Sequence, residues 1–202
     1  QAAKKILEEA GYEVLVFHST GTGGRAMESL IEAGMVTGVL DVTTTEWADE
    51  LVGGVLNAGP ERLEAAAKHG IPAVIAPGCL DMVNFRGPNT IPKRFEGRVF
   101  YEHNPQITLM RTSVEESQQL GRILAEKINA SKGPVTVLFP KRGLSALGQT
   151  GQPFHDPDAD AALLESIRSH MNEAIPVCVL PLSINDSAFA EACAQALLDQ
   201  LG

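Results

Sequence analysis

"YEVLVFHSTGTGGRAMESLIEAG", residues 12–34, joins a short β-branched and aromatic run, a turn built from Ser, Thr and Gly, and a stretch with helical spacing. An apolar run this short suits a strand buried on both faces, and the change of period across a glycine turn opens a strand-loop-helix unit. The unit recurs. "VTGVLDV" (36–42), "IPAVIAP" (71–77), "QITLMRT" (106–112), "PVTVLFP" (134–140) and "IPVCVLP" (175–181) predict further strands. Amphipathic stretches at 24–34, 60–69, 113–131, 157–172 and 186–201 predict the helices, and "QAAKKILEEAGYE" reads as a helix feeding the first strand. Alternation of this kind predicts an α/β fold, a mostly parallel sheet wrapped by helices.

Helix-start chemistry supports these boundaries. Ser113 stands three residues before Glu116, the spacing of a capping box, and Asp156 precedes Pro157 as an N-cap precedes a first-turn proline. Asn185 or Asp186 is placed to cap the last helix. The stretch 78–105 has no regular period, yet it is too rich in Phe, Met and Val for a disordered linker, which marks it as a functional excursion.

The 202 residues carry 44% hydrophobic and 20% charged side chains, the proportions of an ordinary globular domain. No apolar run approaches the ~18 residues of a membrane helix. A formal net charge of −9, with no basic run, opposes nucleic acid as a partner. Cys79, Cys178 and Cys193 form neither a CxxC pair nor a metal-spaced set, so buried thiols in a reducing cytoplasm are expected and no metal site. The chain begins without Met and without a signal-peptide pattern, and the expectation is one α/β domain, 1–202, cut from a longer polypeptide.

In open α/β sheets ligands bind beyond the carboxyl ends of the strands, so the residues after each run matter most. After the first run come Ser19, Thr20, Gly21, Thr22, Gly23, Gly24 and Arg25. The glycines permit a close backbone approach, and free amides at the start of the following helix would face a negative ligand. That helix end supplies only about 0.3–1 kcal/mol of attraction, so hydroxyls and Arg25 must supply the rest. The loop is neither GxGxxG nor GxxxxGK[ST], and a purely structural turn is an equal alternative. Asp41, Thr43 and Thr44 follow the second run; they either bind ligand, or Thr44 or Thr45 merely caps the next helix. Asp81 and Asn84 follow the third run, and Arg111 ends the fourth. Cys79 has no base near it in sequence and is not expected to act as a nucleophile. His103 stands poised to titrate near neutrality, although a solvated loop histidine is the commoner outcome.

Five blocks, "HSTGTGGRAMESLI", "GVLDVTTTEWADELVGG", "APGCLDMVNF", "HNPQITLMRTS" and "FHDPDAD", in this order and spacing, resemble the carboxyl-terminal half of the Tm-1-like ATP-binding domain family. The resemblance implies a two-lobed protein, each lobe a Rossmann-like three-layer α/β/α sandwich, that binds ATP with Mg²⁺ and self-associates as a homo-oligomer. It places much of the nucleotide site in an amino-terminal lobe outside these residues.

The main expectation is therefore a domain that binds a phosphate- or carboxylate-bearing small molecule, with a nucleotide as the first candidate. Its contacts are Ser19 to Gly24 and Arg25, with Asp41, Thr43, Thr44, Asp81 and Asn84 as the floor. A second reading is a hydrolase or lyase with His103 or Asp81 as base and Arg25 or Arg111 holding a substrate carboxylate; it requires Asp81, His103 and the glycine loop to converge. A third is an interaction scaffold whose Phe85, Phe95, Phe100 and Tyr101 pack against a partner subunit.

Overall fold

The computed structural model describes residues 1–202. Its helices are α1 (Ala2–Glu9), α2 (Thr22–Glu32), α3 (Glu46–Val52), α4 (Glu64–His69), α5 (Val114–Asn129), α6 (Pro157–His170) and α7 (Ser187–Leu201). Its strands are β1 (Val39–Thr43), β2 (Ala73–Gly78), β3 (Met82–Phe85), β4 (Phe100–Asn104), β5 (Ile107–Arg111), β6 (Val135–Pro140) and β7 (Val177–Leu180). The main sheet is parallel, in the order β1-β2-β6-β7. No helix is long and apolar enough to cross a membrane.

Two cores lie on opposite faces of this sheet. The larger joins Ile31 of α2, Trp47 of α3, Ala65 of α4, Leu120 and Leu124 of α5 and Leu163 and Ile167 of α6 to Ile75 and Val137 of the strands. The smaller sets Leu7 of α1 and Phe189 and Leu197 of α7 against Val74, Ala76 and Leu138. The side chains of β2 alternate between the two cores, which is why its sequence is apolar throughout rather than at every second position. The result is a helix-sheet-helix sandwich, the Rossmann-like α/β class expected from the alternation.

Two of the six expected strands are placed differently. Residues 106–112 do form a strand, β5, but in a separate antiparallel sheet ordered β3-β5-β4. The cause is local. Asn104 Oδ1 accepts hydrogen bonds from the amides of Gln106 and Ile107 at 2.9 and 3.0 Å, and this Asx-type turn folds β5 back on β4. The excursion 78–105 therefore contains β3 and β4, with two single 3₁₀ turns at Pro88–Thr90 and Lys93–Phe95. Residues 12–18, expected as the first strand, form no strand and join no ladder. Leu15 and Val16 are 52% and 64% exposed, and β1 is left as an edge. Strand composition fits a run for a sheet, but a ladder requires a neighbouring backbone within hydrogen-bond reach.

Capping follows the sequence closely at two helices. Ser113 Oγ accepts from Glu116 N at 3.2 Å while Glu116 Oε2 accepts from Ser113 N at 2.7 Å, closing the capping box of α5. Asp156 Oδ1 accepts from Ala159 N at 3.0 Å ahead of Pro157 in α6. At α7, Asp186 occupies the cap position but accepts instead from Ser183 N at 2.8 Å. At α3 neither threonine caps: the Thr44 hydroxyl donates to Ala76 O at 3.2 Å, tying the loop to β2.

Candidate functional site

The glycine loop ends at α2, whose first residue is Thr22. Gly21 has φ 80°, and an added Cβ would lie 2.5 Å from Asn57 O, so both conformation and space require glycine there. Its amide and that of Gly24 converge as expected, and on an anion. That anion belongs to the protein: Glu46 Oε1 accepts from Gly21 N at 2.6 Å and from Gly24 N at 3.2 Å. The two amides expected to face a ligand are thus engaged from beneath. Thr20, Thr22 and Arg25 remain exposed on the outer side of the loop, and Ser19 Oγ donates to Thr43 O at 2.6 Å.

Glu46 is one member of a buried ionic cluster around Arg62, which is 2% exposed. Arg62 Nε donates to Glu46 Oε2 at 2.6 Å, Nη2 to Asp41 Oδ1 at 2.9 Å and Nη1 to Glu28 Oε1 at 3.2 Å. Asp41 Oδ2 lies 2.5 Å from Nη1 but off the N–H direction, so it contributes charge rather than a hydrogen bond. Burial works against the guanidinium charge, but Asp41 and then Glu46 more than offset it and hold the Arg62 proton more tightly than usual. Three carboxylates meet one cation, and backbone amides supply the balance. Beyond Gly21 and Gly24, Glu28 accepts from Leu63 N at 2.7 Å and Ala65 N at 2.9 Å, capping α4 from a distant helix. The cluster fastens α2, β1, α3 and α4 together at the carboxyl rim of the sheet.

A second buried acid lies beyond β2. Asp81 Oδ2 accepts from Ser145 Oγ at 2.6 Å, and Ser145 Oγ in turn accepts from Gly148 N at 3.1 Å. Its other oxygen has no partner. Burial pushes the Asp81 carboxyl up to about 6, against the Ser145 hydrogen bond and the Arg111 charge. Burial, with Asp81 beside it, pushes the Cys79 thiol up to about 12. Arg111 is itself spoken for: Nη2 pairs with Asp160 Oδ1 at 2.6 Å and Nε donates to Phe154 O at 2.9 Å.

Asn84 belongs to a third buried acid. Asp49 Oδ1 accepts from Asn84 N at 2.6 Å, while Oδ2 accepts from Leu56 N at 2.8 Å and Asn84 Nδ2 at 3.2 Å. Burial raises the Asp49 carboxyl to about 6 in spite of these bonds.

The expected site residues therefore separate into groups. Ser19 to Arg25, Asp41 and Thr43 share the rim above β1, and Thr44 ties that rim to β2. Asp81 sits with Ser145, Asn84 with Asp49, and Arg111 with Asp160. His103 is exposed on β4, between the Glu102–Thr108 and Asn104–Ile107 pairs. That is three to four residues along β5 from Arg111, which pairs with Met82 beside Asp81, and so roughly 10–13 Å away along the strand. The aromatic residues assigned to a partner surface are mostly internal. Phe85 and Phe95 are buried with ring centroids 5.4 Å apart, Phe100 packs against the larger core, and Tyr101 alone is exposed.

The partners of Glu46 and Ser145, and the parts played by Arg62 and Asp49, are not legible in the sequence. Glu46 had one signal, an acid four residues after a strand end opposite a glycine-rich loop. Arg62 follows a Gly-Pro turn and carries no local signal at all.

The fold and this rim define a Rossmann-like α/β domain with a glycine-rich loop at the start of α2. The chain belongs to the family described as "Uncharacterised protein family (UPF0261) C-terminal domain", which matches residues 1–201. It is 49% identical, over 98% of its length, to half of a UPF0261 protein of Clostridium tetani, and 49% identical over 95% to 48% of one from Rhizobium meliloti. It is 46% identical, again over 98%, to a 26% portion of the "ToMV resistance protein Tm-1(GCR237)" of Solanum lycopersicum. The chain thus spans about half the length of its bacterial relatives, and the resemblance to the Tm-1-like family is shown.

Proposed function

We infer that this domain contributes the carboxyl-rim half of a binding site for a phosphorylated small molecule of nucleotide size, with ATP and Mg²⁺ as the first candidate. The observation that carries the reading is the Gly21–Gly24 loop, held rigid from below by Glu46 while Thr20, Thr22 and Arg25 face outward. Glu46 occupies the inner position, so a ligand phosphate would rest on the outer side of the loop, against hydroxyls, the start of α2 and the Arg25 guanidinium. Lys141 and Arg142, exposed after β6, add positive charge to the same rim, with Asp186 facing Arg142.

Arg25 Nη1 now donates to Asn57 O at 2.9 Å from an exposed position, an interaction that a phosphate would outcompete. The remaining contacts fall to the part of the longer relatives that this chain does not span. The buried Asp81 and Ser145 pair is a positioning element under the rim in this reading, since neither side chain reaches solvent.

Isothermal titration of the full-length protein with ATP and Mg²⁺ tests this. Binding is expected, and Arg25→Ala with Thr22→Ala together should weaken it at least tenfold. Absence of uptake of ATP, ADP or tripolyphosphate, or affinity unchanged in that double variant, overturns the reading.

A further inference from the structure

Residues 12–18 run beside β1 and are tethered at both ends. Tyr12 N donates to Leu7 O at 3.1 Å at the start, and the Ser19–Thr43 hydrogen bond closes the far end. Between this run and β1 lies a cleft of about 570 Å³, and no backbone hydrogen bond crosses it. Val14 and Val16 form one wall, Leu40 and Val42 the other. Helices close it on both faces, with Met27 of α2 on one side and Leu7 of α1 and Phe189 of α7 on the other. A space bordered by the free edge of β1, with helices on two faces, is where a further strand of a three-layer sandwich would lie.

The edge it offers is unused. Val39 N donates to Pro72 O, so Val39 turns its ladder groups toward β2, and the alternation of a parallel pair turns the Leu40 N–H and C=O into the cleft. The Ser19–Thr43 hydrogen bond closes the cleft at the carboxyl end of β1, so the open edge lies around Val39 and Leu40. The exposure of Leu15 and Val16, in a run composed like a buried strand, is what an absent neighbour would produce.

We propose that the cleft receives one extended, mainly apolar segment as an added β-strand between residues 12–18 and β1, supplied by the part of the full-length protein that these 202 residues do not span. The bacterial relatives carry about as much chain again as the portion matched, so the strand is available to them within one polypeptide. Main-chain hydrogen bonds to Leu40 would hold it, and Val14, Val16 and Val42 would select apolar side chains.

Hydrogen exchange read by mass spectrometry or NMR tests the proposal on the 202-residue chain and on the full-length protein. Amides of Val14, Val16 and Leu40 should exchange freely in the former and at least 100-fold more slowly in the latter. Val16→Lys, at an exposed position, should leave the melting temperature of the 202-residue chain unchanged and abolish the added protection in the full-length protein. Protection already present in the 202-residue chain would mean that residues 12–18 pair with β1 directly. Protection that appears only with rising concentration and doubled mass would mean that a second copy fills the cleft. Either result, or no protection in the full-length protein, or protection undiminished by Val16→Lys, overturns it.

Discussion

Glu46 is packed so closely against Gly24 that a methyl group at residue 24 would lie 2.3 Å from Glu46 Oε2. The carboxylate cannot swing away, because Arg62 holds the same oxygen at 2.6 Å. Gly24 lies in the first turn of α2, where replacing glycine by alanine ordinarily stabilises by about 0.5–1 kcal/mol. Here the sign reverses. Gly24→Ala should destabilise by about 1–3 kcal/mol. Combined with Glu46→Ala, it should cost less than the two single changes added together, a coupling that urea denaturation of the four proteins measures.

Removing Arg62 tests the ionic cluster. Arg62→Met leaves Asp41, Glu46 and Glu28 facing one another without a cation, and breaking a buried pair from one side costs about 3–5 kcal/mol. Arg62→Lys should recover little of it, since a single ammonium cannot reach the three carboxylates that the planar fork contacts through Nε, Nη1 and Nη2. Denaturation midpoints of the two variants within experimental error of wild type would show that the cluster does not hold the rim.

The buried acids give the domain a defined pH dependence. Asp49 and Asp81 both rise from an ordinary 3.8 to about 6, so the folded protein binds more protons than the unfolded chain between these values. Their stabilising contribution is complete below about pH 4 and is lost as pH rises through about 6, by up to roughly 3 kcal/mol for each. Asp81→Asn, which keeps an acceptor for Ser145 but carries no charge, should therefore gain stability relative to wild type between pH 4 and pH 7. Urea melts at the two pH values check this, and a difference that stays constant would remove Asp81 as a titrating group.

Ser113→Ala should cost about 1 kcal/mol through loss of the α5 cap. Glu116→Ala should cost more, because Glu116 also accepts from Arg98 Nη2 at 2.6 Å while the same nitrogen donates to Arg111 O at 2.7 Å. The thermal midpoints of the two variants rank the effects; equal shifts would mean that Arg98 contributes nothing to the anchoring of α5.

The sequence by itself determined the elements whose causes are local. Apolar runs in β2 and β6, the Ser113–Glu116 box and the Asp156–Pro157 start are legible because the residues that make each feature lie within a few positions of one another. The blocks around the rim likewise determined the family. Tertiary structure decided everything that depends on a distant partner. It decided that the anion beneath Gly21 and Gly24 is Glu46, that Arg62 gathers Asp41 and Glu28, and that β5 joins β3 and β4 rather than the main sheet. It also decided that residues 12–18, composed like a strand, stand without a ladder. Propensity and capping act through a residue's own neighbours, whereas a buried charge or a strand edge is satisfied by whatever the fold brings beside it.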